Sequence, residues 1–109
     1  MSLHLEWAQA SNDQRLRKRY AEQIARRLMA TRNVLNLSQA ELCRATGIKQ
    51  STYNQYEKAV NVIQKRSAFR ICDTFGLTLD WIYLGDPRWL PHHIVQKLPS
   101  KLLDWRGAR

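Results

Sequence analysis

Apolar residues recur at helical spacing over most of the chain, and no stretch alternates β-branched and polar residues for the length of a half-buried strand. Ile24 and Leu28 stand four apart, with Ala21 and Ala25 beside them. This predicts a first helix from Tyr20 to about Asn33, with Arg26, Arg27 and Arg32 on its remaining surface. Residues 1–19 are polar and read as an irregular extension ending in the basic run Arg15, Arg17, Lys18, Arg19. A second helix is predicted after Leu37. Ser38-Gln39-Ala40-Glu41 fits a capping box, in which the hydroxyl and the carboxylate satisfy free amides reciprocally. It ends near Thr46, where Gly47 can supply the left-handed residue. A third short helix covers about Lys49 to Glu57. Asn61 is read as the cap of a fourth, roughly Val62 to Phe75, with Ala68, Ile71, Cys72 and Phe75 as its inner stripe. Thr78 caps a fifth, Leu79 to Leu84, closed by Gly85-Asp86-Pro87.

All three prolines lie in the last quarter. Pro91 can start a short helix carrying Ile94, Val95 and Leu98. Ser100 can cap another turn with Leu102, Leu103 and Trp105. This tail is too apolar for a solvated extension, so it either folds back on the domain or meets a partner. The expected class is all-α. A basic extension (1–19) precedes one domain (20–86), and a partly helical tail (87–109) follows.

Charge narrows the partners. The chain has 109 residues and a formal net charge of +9, from 18 Lys/Arg against 9 Asp/Glu. That length allows one domain, and 44% hydrophobic residues suffice for a modest core. Nine excess positive charges on so small a body call for a polyanion, with nucleic acid ahead of a membrane surface. The basic residues are not opposed to an uninterrupted apolar face, and no apolar run nears the roughly 20 residues of a membrane span. Two cysteines, Cys43 and Cys72, make no disulfide framework and read as core residues. Met1–Ala10 carries Glu6 and lacks the apolar centre of a signal peptide. The sequon Asn36-Leu37-Ser38 reads as accidental without such a signal. The expectation is a reduced, cytoplasmic protein with no membrane contact.

The central motif is a pair of short helices joined through Gly47, over Gln39 to Glu57. Leu42 and Cys43 face inward from the first of them, and the small Cys43 lets the second helix cross closely. Ile48, Tyr53 and Tyr56 return apolar surface to the core. This is helix-turn-helix spacing, in which one helix lies across a phosphate backbone and the next offers its N-terminal residues to a major groove. From Tyr20 to Gly85 the sequence resembles the phage-repressor and Cro type of helix-turn-helix regulator. The resemblance rests on Leu37-Ser38-Gln39-Ala40-Glu41-Leu42, on Tyr56-Glu57, and on Phe75-Gly76-Leu77-Thr78-Leu79-Asp80-Trp81-Ile82.

The resemblance implies a five-helix, lambda-repressor-like DNA-binding domain and assigns roles by position. Gln50 and Ser51 open the recognition helix, where base edges are read, and Asn54 and Gln55 lie one turn on. Gln and Asn suit adenine, and Ser tolerates several bases. Gln39, Ser38, Lys49 and Lys58 become phosphate contacts, while Arg32 and Glu57 become a scaffold ion pair. Three features depart from the family. No glycine follows Glu57, the Lys58–Gln64 segment is unusually apolar, and Tyr53 is bulkier than the usual aliphatic residue. Arg15, Arg17, Lys18 and Arg19 are a candidate DNA arm. Trp81 reads as core, whereas Trp7, Trp89 and Trp105 are open between packing and partner contact.

No enzyme is expected, because a phosphate-cradling glycine loop, an HExxH and a nucleophile–base arrangement are all lacking. No metal or cofactor is expected either. His92 and His93 are adjacent rather than at the i, i+4 spacing of a helical pair. The implied function is a double-stranded-DNA-binding transcription regulator, a repressor acting as a homodimer on a pseudo-palindromic operator. Leu98, Leu102, Leu103 and Trp105 are its dimer candidates. Two alternatives keep the fold: an antitoxin whose tail wraps a protein toxin, and a protein-interaction module that does not read DNA.

Overall fold

The computed structural model describes the backbone of residues 3–104 and the side chains of residues 13–104. Its first element, α1 (Leu3–Val34), runs for 32 residues. At about 1.5 Å per residue it is roughly 48 Å long, which accounts for the molecule's longest dimension of 50 Å. The irregular extension expected over residues 1–19 is therefore helical from Leu3 onward. No glycine or proline interrupts it, and residues 13–20 are all exposed. Over residues 13–20 the polar composition marks an exposed helix surface, which is a different thing from a missing helix. The C-terminal half of α1 packs as its spacing predicts, with Ala21, Ile24, Ala25 and Leu28 buried. Arg27 departs from the prediction: it is buried rather than on the surface. The readings at Trp7 and Trp105 lie outside the residues whose side chains are described.

α1 gives way to a turn in which Asn36 takes a positive φ of 61°, a conformation its short polar side chain tolerates. α2 (Gln39–Thr46) opens with the predicted capping box. Ser38 Oγ accepts from the Glu41 amide at 3.1 Å, and the Ser38 amide donates to Glu41 Oε1 at 2.9 Å. Gly47 closes it at φ 77°, and α3 (Gln50–Glu57) follows. Leu42, Cys43, Ile48, Tyr53 and Tyr56 all enter the core.

The fourth helix starts later than predicted. α4 covers Lys65–Phe75, and Asn61 does not cap it. Residues 58–64 form a loop folded back on α3: the amides of Val60 and Asn61 donate to the Gln55 carbonyl, at 3.0 and 3.5 Å. Ile63 is buried and its carbonyl accepts from Tyr83 Oη at 2.8 Å, so the loop is pinned at both ends. Ala59 takes a φ of 59°. This is the left-handed turn that a glycine after the recognition helix would hold without strain, and here an alanine holds it.

Thr78 caps the next segment as read, its Oγ1 accepting from the Trp81 amide at 3.0 Å. That segment is a π-helical turn, Asp80–Leu84, rather than an α-helix. The wider turn places Trp81 and Ile82 side by side in the core, each almost wholly buried. The Trp81 indole donates to Thr31 Oγ1 at 2.9 Å, and Thr31 in turn donates to the Arg27 carbonyl at 2.6 Å. α5 (His92–Val95) and a 3-10 turn (Ser100–Leu102) are the last elements among the described residues. Of the two fates open to the tail, it folds back. Leu90, Ile94 and Leu98 are buried, with Leu102 and Leu103 packed beside them. Leu98 is thereby withdrawn as a dimer surface. Trp89 is exposed. Cys43 is buried and Cys72 half-buried, both as free thiols. Burial pushes both pKa values up, that of Cys72 to about 11. No described helix is long and apolar enough to cross a membrane.

Two predictions follow from this packing. Ile94→Ala should cost about 3 kcal/mol in urea unfolding, the range for emptying a buried aliphatic site. A cost below about 1 kcal/mol would mean that the tail is not part of the core. Ala59→Gly should raise the urea midpoint at an unchanged slope, by up to about 1 kcal/mol, because relieving the left-handed strain outweighs the extra freedom of glycine in the unfolded chain.

Candidate nucleic-acid interface

α3 is held from behind by its charged and aromatic residues. Tyr53 and Tyr56 meet edge to face, with ring centroids 6.5 Å apart, and turn the rear of the helix into core. Glu57 is also buried, and Arg32 of α1 grips it with one edge of the guanidinium. Nε donates to Oε2 at 2.7 Å and Nη2 to Oε1 at 3.0 Å. Arg32 Nη1 goes on to the Leu37 carbonyl at 2.9 Å, fixing the entry to α2. Gln39, the first residue of α2, donates through Nε2 to Glu57 Oε1 at 3.1 Å and to Asn54 Oδ1 at 3.3 Å. One carboxylate thus joins α1, α2 and α3. The predicted scaffold pair is present, and Gln39 is drawn into it.

The electrostatics follow from this arrangement. Burial alone would raise the Glu57 pKa, but hydrogen bonds from Arg32 and Gln39 outweigh it and hold the carboxyl below its usual range. The Arg32 pKa is raised, chiefly by its hydrogen bonds to Glu57. The Tyr53 hydroxyl is buried outside hydrogen-bonding geometry. Burial, then the neighbouring Glu57 charge, push its pKa up, so it stays protonated.

The four predicted base readers divide into two kinds. Residues 50, 51, 54 and 55 span roughly 140° of the α3 circumference, on the side away from Tyr53 and Tyr56. Gln50 and Ser51 are exposed, and no described residue hydrogen-bonds their side chains. Asn54 is half-buried with its Oδ1 turned to Gln39, which leaves its amide N–H groups for an outside acceptor. Gln55 is exposed, but its Oε1 accepts from Asn61 Nδ2 at 2.7 Å, so it ties α3 to the following loop.

Among the predicted phosphate contacts, Lys49 and Lys58 are exposed and flank α3 as its N-cap and C-cap residues. Ser38 Oγ spends one lone pair on the capping box and retains its hydroxyl proton. The first turn of α3 carries no acid, so the positive end of its dipole is uncompensated.

Two supporting residues went unread in the sequence. Arg70 on α4 donates through Nη1 to the Gly47 carbonyl at 3.2 Å and braces the turn between the two motif helices. Asn61, read as a helix cap, braces Gln55 instead. Neither has a local sequence signal, since each acts across a turn of the fold.

A family model described as helix-turn-helix matches residues 28–82, from the packed half of α1 to the π-helical turn. No curated protein and no solved structure matches the chain.

The Arg32–Glu57 pair makes a pH-dependent contribution. A folded pKa below the unfolded value of about 4.3 stabilises the fold above that value, and the benefit is lost as pH falls through the folded pKa. Glu57→Gln should therefore cost about 3 kcal/mol near pH 7, as expected for a broken buried pair. Its deficit against the parent protein should shrink as pH falls below about 4. A deficit independent of pH in urea unfolding would contradict this account.

Proposed function

The chain belongs to the helix-turn-helix family of phage-repressor and Cro type, and from that premise we propose that it is a sequence-specific repressor that binds operator DNA as a homodimer. Family membership makes it a DNA-binding transcription regulator. The finer reading rests on one observation. The two residues at the start of α3 that are free of internal hydrogen bonds, Gln50 and Ser51, are uncharged and exposed on a helix clamped from behind. Neutral donors and acceptors on a rigid support suit base edges. Asn54 contributes its amide from within the network, and Gln55 contributes by setting the loop.

Affinity in this reading comes from Lys49, Lys58 and the Ser38 hydroxyl on phosphates, helped by the wider positive surface. Gln39, whose side-chain donors are spent on Glu57 and Asn54, offers its backbone amide at the start of α2. Two copies would place their α3 helices in successive major grooves about 34 Å apart, on a pseudo-palindrome. Repression follows from occupying a promoter.

On an operator obtained by in-vitro selection, Gln50→Ala and Ser51→Ala should each weaken binding by about 1–3 kcal/mol. Binding to random duplex should stay the same. Lys49→Ala and Lys58→Ala should instead weaken both alike and lower the salt slope by about 1 each. Unchanged operator affinity in the Gln50 and Ser51 variants would remove them as readers. A monomer by light scattering, both free and on operator DNA, would remove the dimer.

A further inference from the structure

Arg27 is an unusual arginine: 9% exposed, between the buried Ile24 and Thr31 on α1, and paired with no described carboxylate. It spends part of its guanidinium on backbone. Nε and Nη2 donate to the Ile82 carbonyl at 3.2 and 3.0 Å, and Nη2 also reaches the Tyr83 carbonyl at 3.2 Å. These bonds clamp the end of the π-helical turn to α1. Nη1 takes no part in them. A buried cation without a counter-charge is costly, and burial pulls the Arg27 pKa down to about 10, so the group is still charged at neutral pH.

Nη1 borders a cleft. Arg27 lines a cavity of about 360 Å³ between α1, the end of the π-helical turn and the last described residues. Tyr20, Tyr83, Leu84 and Leu102 give it apolar walls, and Arg26, Lys101 and Asp104 also line it. Gly85 keeps the approach to the guanidinium open. A Cβ there would lie 2.9 Å from Nη1, and the residue's φ of +76° already disfavours a side chain.

We propose that this cleft binds a small organic carboxylate, with Arg27 Nη1 receiving the carboxylate and the Tyr20, Tyr83, Leu84 and Leu102 walls receiving its apolar body. The volume is in the range of small-molecule sites, which combine apolar walls with a few placed polar groups. The chemistry selects a monoanion. Nη1 retains two N–H donors, enough to hold one carboxylate oxygen, whereas a phosphate dianion asks for more donors than Arg27 has left. The bound anion would neutralise the buried charge and tighten the clamp between α1 and the π-helical turn. α1 also carries Arg32, so the site adjoins the helix on which α3 is anchored.

The test uses the full chain without DNA, so its outcome is independent of the operator reading. Benzoate, cinnamate and hexanoate are titrated against thermal unfolding and against two-dimensional NMR of the Arg27 Nε–H and the Gly85 amide. Phenol and inorganic phosphate are the controls. At least one carboxylate should raise Tm by roughly 5 °C at ten times its Kd and move both resonances, while phenol and phosphate should do neither. Leu84→Glu, at an exposed wall position, should abolish the Tm rise. Arg27→Lys should weaken it at least tenfold if that variant folds. If no carboxylate acts, if phosphate acts equally, or if folded Leu84→Glu responds like the parent protein, the proposal is overturned.

Discussion

The outward face of α3 depends on one buried carboxylate behind it. Glu57 has a side-chain exposure of 2%, and isolation of a charge at that depth would be costly. Arg32 removes the cost with a fork of two hydrogen bonds, and Gln39 adds a third. Because the three partners come from three helices, satisfying one charge sets the relative placement of α1, α2 and α3. A lysine in place of Arg32 could supply the charge but not the fork, and it is the fork that fixes an angle. Asn54 shares Gln39 with Glu57, so the order of the buried network reaches the outer surface of α3.

The net charge of +9 takes on a more specific meaning in this frame. Residues 15–32 hold seven Lys/Arg and one acid, Glu22. They do not act alike. Arg15, Arg17, Lys18 and Arg19 are exposed along a continuous helix, Arg27 is buried against backbone carbonyls, and Arg32 belongs to the ion pair. The exposed ones suit salt-dependent attraction to phosphate. The buried ones build the domain. The stretch from Gln50 to Gln55 holds no charge at all, which suits selection among bases over simple adhesion.

Much of the domain was legible because its signals are local. The capping box at Ser38, the turn at Gly47, the 3.6-residue spacing of Ile24 and Leu28, and Thr78 as a cap each act within one turn of helix. The failures share a cause. Residues 1–19 were read as irregular because they are polar, yet a polar run without glycine or proline can be helical from Leu3 onward. Asn61 looked like a cap, but Ile63 is buried and bound to Tyr83, a contact 20 residues away that overrides a helix start. The π-helical turn was invisible because no local residue pattern in Asp80–Leu84 distinguishes it from an α-helical one. Arg27 looked like surface because its partners are backbone carbonyls more than 50 residues away. At the interface, Gln50 and Ser51 stand where the spacing put them, while the bond from Asn61 to Gln55 depends on a loop path that only the folded chain reveals.

The central claim is that the buried fork on Glu57 orders the reading face of α3. Arg32→Lys tests it most directly, through the ratio of operator to random-duplex affinity at one fixed salt concentration. The charge is kept, so random-duplex binding and its salt slope should hold. The ratio should fall by about tenfold or more, equivalent to about 1.4 kcal/mol of lost discrimination. A folded Arg32→Lys protein with an unchanged ratio would contradict the account.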